Sequence, residues 1–112
     1  MQINELAGVE SLDMALIMSC ASARQALALC VRMSGHSDEF VAEHVGISKG
    51  YLSRVLSGSA SLDGDRRIKL MRVCGNRAPL QYEAWVMGLH ASERSPEDLL
   101  REAMALLGKV RA

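Results

Sequence analysis

Apolar residues recur along this chain at spacings of three and four, punctuated by glycines and hydroxyl residues, and the pattern predicts helices nearly throughout. After Asp13 the stretch from Ser11 to Cys20 is apolar on nearly every face, so a helix there needs cover on several sides, which a subunit interface through Leu16 would supply. Ser22 opens a second helical signal, with Gln25 three residues on as in a capping box. Ala23, Leu27, Cys30 and Val31 form its inward stripe, and Ser34-Gly35 ends it. The pattern leaves open whether residues 11–34 make one bent helix or two. Ser37 then caps a helix from Asp38 to Val45, with Asp38 and Glu39 at its positive end. Another runs from Lys49 to Leu56, and a third begins at Asp63 or Asp65 and stops near Cys74-Gly75. Leu62 anchors the loop before it to the core. Pro79 suits the first position of a further helix, whose Leu80, Tyr82, Trp85, Val86, Met87 and Leu89 are too apolar for one covered face. Beyond a linker at His90–Arg94, Ser95-Pro96-Glu97-Asp98 is a strong helix start. Leu99, Leu100, Ala103, Met104, Leu106, Leu107 and Val110 then form a broad stripe that needs a partner surface, with self-association, as dimer or higher, favoured over packing back onto the domain.

The stretch SDEFVAEHVGISKGYLSRVLSG, residues 37–58, organises the rest. Its two short helices meet at Gly46, where positive φ is cheap only without a side chain. Ala42 is small enough for the second helix to cross close above the first. Ile47 fills the angle, and Ser48 caps the second helix. That is the pattern of a helix-turn-helix, whose second helix lies in the major groove of DNA.

The segment AEHVGISKGYLSRVLSG resembles the DNA-binding domain of lambda-repressor-like (Cro-type) regulators of the small phage and prophage kind. Ala42, Gly46, Ile47, Ser48, Leu52, Val55 and the closing Leu56-Ser57-Gly58 carry the resemblance, which extends from about Arg24 to Gly75. CGNRAPLQYEAW is similar, more weakly, to a segment of prophage regulators. The resemblance implies an all-α, lambda-repressor-like helix-turn-helix bundle of about five helices. Together with the apolar stripes at its two ends, it divides the chain into a DNA-binding domain with an apolar N-terminal helix (residues 1–90) and an additional amphipathic C-terminal helix for oligomerisation (residues 91–112). On a recognition helix from Lys49 to Leu56, Leu52, Val55 and Leu56 face inward, leaving Lys49, Gly50, Ser53 and Arg54 to approach base edges. Ser37, Ser48, Tyr51, Ser57, Ser59, Arg66 and Arg67 are the expected phosphate contacts; half-buried packing is the other reading of Tyr51. The chain departs from the family at Asp38, where glutamine commonly donates to a phosphate and a carboxylate would repel one.

Composition changes this picture only in part. The 112 residues suffice for one domain with a modest core; 49% are apolar but only 4% aromatic, which favours helices. Net charge is zero, yet its distribution is not even. Residues 1–45 set Arg24 and Arg32 against six acids, whereas residues 46–76 set Lys49, Arg54, Arg66, Arg67, Lys69 and Arg72 against Asp63 and Asp65. Positive charge thus collects on the proposed recognition helix and the helix after it. Cys20, Cys30 and Cys74 lack metal or redox spacing and read as free thiols of a reducing compartment.

No catalytic constellation, metal set, phosphate loop, signal peptide or membrane span stands out, so the expectation is a cytoplasmic non-enzyme without cofactor, in a bacterial or phage-infected cell. Its expected partners are double-stranded DNA and a second copy of itself, with repression by occlusion the simpler mode. Activation through an acidic patch, Asp38-Glu39-Glu43, touching RNA polymerase is the variant of that scheme. Leu16, Trp85, Leu99, Leu100, Met104 and Leu107 are the expected oligomer contacts. A protein-interaction module, such as an antitoxin that neutralises a toxin through its apolar terminal helices, is the alternative.

Overall fold

The structure, a computed structural model, describes residues 8–89 and 96–111, with the side chains of 100–108 in the last helix. The described residues are all-helical: α1 (Met14–Met18), α2 (Ala23–Ser34), α3 (Asp38–Val45), α4 (Lys49–Ser57), α5 (Gly64–Cys74), α6 (Ala78–Val86) and α7 (Pro96–Arg111). Among the described residues six helices precede the last one, against an expected five or so, because residues 11–34 form two helices rather than one bent one. Asp13 caps α1 by accepting from Ala15 N at 3.0 Å, and Cys20 N closes that helix on Ile17 O. Ser22 then caps α2 from Gln25 N at 3.2 Å while Gln25 Oε1 accepts from Ala21 N at 2.7 Å. The reciprocal cap starts a new helix where neither proline nor glycine marks a break.

Helix α2 packs against α4, α5 and α6, α3 packs against α4 and α5, and α1 rests on α6. Ile17, Cys30, Val41, Leu52, Val55 and Leu70 are the largest fully buried side chains. Ala26, not Ala23, completes the inward stripe of α2 with Cys30 and Val31; Ala23 is exposed. Leu27, Ile47 and Leu62 lie partly buried against the same core. Pro79 is the second residue of α6 rather than the first, Ala78 preceding it. The linker at residues 90–95, with its Ser95 cap, and the side chain of Leu99 lie outside the described residues.

Asn76, at the junction of α5 and α6, is the buried polar residue of this core. Its amide donates to Cys30 O at 3.1 Å and its Oδ1 accepts from Ala78 N at 3.2 Å. The Cys30 thiol in turn donates to Asn76 O at 3.6 Å. The incoming chain is tied to the same point, since Glu10 N donates to Gly75 O and Arg77 N to Glu10 O. Cys30 and Cys74 are buried and free, Cys20 half-buried and free. The neighbouring Cys74 thiol, then burial, push Cys30 far above the usual thiol range, so it stays a neutral packing group.

Gly58 ends α4 in the left-handed region, φ 94°, and a Cβ there would stand 2.9 Å from Arg24 Cδ. Arg24 Nη1 also donates to Leu56 O at 3.2 Å, so α2 reaches over the end of α4. Gly58→Ala is expected to cost about 1–2 kcal/mol, nearly all of it backbone strain because the arginine stem can swing away. Urea unfolding measures it.

Candidate nucleic-acid interface

The joint between α3 and α4 is three residues long, Gly46 to Ser48. Gly46 takes φ 90°, and both Gly46 N and Ile47 N donate to Ala42 O, at 2.9 and 3.0 Å. Ser37 Oγ caps α3 from Phe40 N at 3.1 Å, and Ser48 Oγ caps α4 from Tyr51 N at 3.0 Å. Because the two serines accept in these caps, each keeps a hydroxyl proton for an outside acceptor. Both are exposed, one at the start of each helix.

Helix α4 is divided sharply into two sides. Leu52 and Val55 are buried and Leu56 is half-buried, whereas Lys49, Gly50, Ser53 and Arg54 are all exposed. The exposed cations differ in their partners. Lys49 Nζ lies 3.2 Å from Glu39 Oε1 of α3, with both side chains more than half exposed. An exposed pair of this kind is worth about 0–1 kcal/mol, so Lys49 can change partners easily. Arg54 has no carboxylate partner among the described residues; its guanidinium lies 5.5 Å from the centre of the Tyr51 ring.

Four of the expected phosphate contacts are otherwise engaged, and the reasons are geometric. Tyr51 donates its hydroxyl to Ser61 O at 2.5 Å, pinning the ring between α4 and the following loop, so it braces Arg54 rather than offering a free donor. Ser57 Oγ and Ser59 Oγ donate to Arg54 O at 3.1 and 3.3 Å, where Ser59 N and Ala60 N also converge. These two serines close the end of α4. Arg67 is half-buried and paired with Glu83 of α6, tying α5 to α6. Arg66 remains exposed, 3.9 Å from Asp63. The two pairs also explain why cations are tolerated near the positive end of α5, since each has a carboxylate nearby.

The residues missed in the sequence are those whose partners are distant in it. Glu39 reaches Lys49 across the turn, and Arg24 reaches α4 from α2. His36, just before α3, and Phe40 and His44 on it stack in a row with ring centroids 4.2 and 3.9 Å apart. That spacing was visible, but rings repeated every four residues signal no single chemistry. Among the expected oligomer contacts, Leu16 is at the edge of exposure and Trp85 is half-buried beside Tyr82, while Leu100, Met104 and Leu107 are exposed. Among the described residues no group of His, Cys, Asp or Glu is arranged to hold a metal ion, and no helix is long and apolar enough to cross a membrane. No family model matches the chain, and neither a curated protein nor a solved structure does.

Proposed function

We propose that the chain is a sequence-specific, double-stranded DNA-binding regulator of transcription, a lambda-repressor-like helix-turn-helix protein with α4 as its recognition helix. The observation that carries this is the shared exposure of Lys49, Gly50, Ser53 and Arg54 on a helix held from behind by Leu52 and Val55. With α4 in the major groove, Arg54 donates paired hydrogen bonds to guanine O6 and N7, while Gly50 lets the backbone close on the bases. Lys49 exchanges Glu39 for a guanine or a phosphate. The hydroxyls of Ser37 and Ser48 and the guanidinium of Arg66 hold the flanking phosphates. A dimer sets two such helices into successive major grooves about 34 Å apart and represses by covering a promoter, within the cytoplasm of a bacterial or phage-infected cell. Exposed Asp38 and Glu43 offer the surface for RNA polymerase if the effect is activation instead.

Binding to duplex DNA tests this through its salt dependence. Log affinity should fall linearly with log salt, by about 0.9 per phosphate neutralised. A duplex affinity that is flat in salt, or absent at low salt, overturns the proposal. Glu39→Gln removes the carboxylate that competes for Lys49, and duplex affinity at low salt should rise by about threefold to tenfold. Fluorescence anisotropy reads both quantities.

A second reading, a protein-interaction module of the antitoxin kind, is favoured by Val86, Met87 and Leu89, which are 58%, 72% and 56% exposed at the end of α6. An apolar contact of that sort hardly responds to salt.

A further inference from the structure

Helix α7 is 16 residues long, and Leu100, Met104, Leu106 and Leu107 keep between 59% and 64% of their surface exposed. A lone helix of about this length is marginal in water, so an apolar stripe along it calls for a second surface. Leu100, Ala103, Leu107 and Val110 recur at alternating spacings of three and four, the seam of a coiled coil. The charges along the helix are not symmetric. Glu97 and Asp98 fall in its first turn, and Lys109 and Arg111 in its last. Two such helices side by side in the same direction would bring like charges together, whereas in opposite directions each acidic end meets a basic one.

Register also favours the antiparallel arrangement. In an antiparallel pair the first seam position of one helix faces the second of its partner. Leu100 then lies across from Val110 of the second copy, and Ala103 across from Leu107, so that small residues face large ones. Helical spacing sets Glu97, Met104 and Arg111 along one flank of the seam, and in this register Glu97 lies across from Arg111 of the second copy. We infer that α7 is the surface by which two copies of this chain associate, as an antiparallel two-helix pair centred between Ala103 and Leu107. The pairing deepens the proposed function by naming the dimer contact, yet it depends on α7 alone. A monomer that binds duplex DNA would refute it and leave the role of α4 standing.

The test is the dissociation constant of the full chain by sedimentation equilibrium, with far-UV circular dichroism to verify that each variant is folded. The wild-type chain should be a dimer. Glu97→Arg and Arg111→Glu should each weaken it by about tenfold, since two symmetry-related attractions become repulsions. The double variant Glu97→Arg with Arg111→Glu should return to within about threefold of wild type. An effect through the helix dipole would instead add in the double variant, because each substitution opposes the dipole. A wild-type chain that is still monomeric at about 100 μM overturns the inference. So does a dimer that ignores Glu97→Arg, and so does a double variant weaker than either single one.

Discussion

Asn76→Ala is expected to lower the free energy of unfolding by about 2–4 kcal/mol, the largest stability loss among polar substitutions in this core. The side chain is 3% exposed and makes both of its bonds to backbone, to Cys30 O of α2 and from Ala78 N of α6. Alanine leaves the Ala78 N–H without an acceptor at a buried helix start, and it opens a small void against α2. Total stability of a domain this size is about 5–15 kcal/mol, so the loss is a large share of it. Thermal unfolding should fall by about 8–32 °C, given about 4–8 °C per kcal/mol for small domains. Asn76→Asp keeps an acceptor for Ala78 N but buries a charge and gives up the donor to Cys30 O, and it should be at least as damaging. A change under about 1 kcal/mol in either variant would mean that the junction of α5 and α6 is held by its apolar contacts alone.

Arg54→Ala has the largest expected effect on recognition. Its guanidinium lies over Tyr51 with no carboxylate to leave behind, so truncation removes one exposed group and little else. Stability should change by no more than about 0.5 kcal/mol. Discrimination at one base pair of the bound site should fall by about 1–3 kcal/mol, roughly fivefold to 150-fold. Arg66→Ala, by contrast, should weaken binding to all sequences alike. If Arg54→Ala leaves the ranking of operator variants unchanged, Arg54 does not read a base.

Local rules carried most of the helix boundaries. The caps at Ser22, Ser37 and Ser48, and the stops at Gly35, Gly46, Gly58 and Gly75, are each written within four residues of where they act. The end of α1 was not legible, because Cys20 and Ala21 carry no breaking residue and only the reciprocal bonds of Ser22 and Gln25 define the new start. The division of α4 into a buried and an exposed side follows from helical spacing alone, so that part of the candidate interface could be read directly. What the cations and hydroxyls of the interface do in the free chain could not. Arg67 is drawn to Glu83 across 16 positions, Lys49 to Glu39 across the turn, and Tyr51 to a carbonyl ten residues on. Such pairings depend on how helices pack, and spacing along the chain holds no record of them. Asn76 was half hidden for the same reason: within a turn sequence, Asn-Arg-Ala-Pro, an asparagine suggests local bonding, which its Oδ1 makes to Ala78 N, but its amide also reaches α2.

The central claim is that the exposed side of α4 reads duplex DNA. Selection of bound sequences from a random duplex pool at low salt, run in parallel with the wild-type chain and Arg54→Ala, tests it most directly. The wild-type chain should enrich a recurrent site containing a guanine in each half, and Arg54→Ala should lose preference at that guanine while keeping the rest of the site. A wild-type pool with no sequence enriched over the starting mixture would contradict the claim.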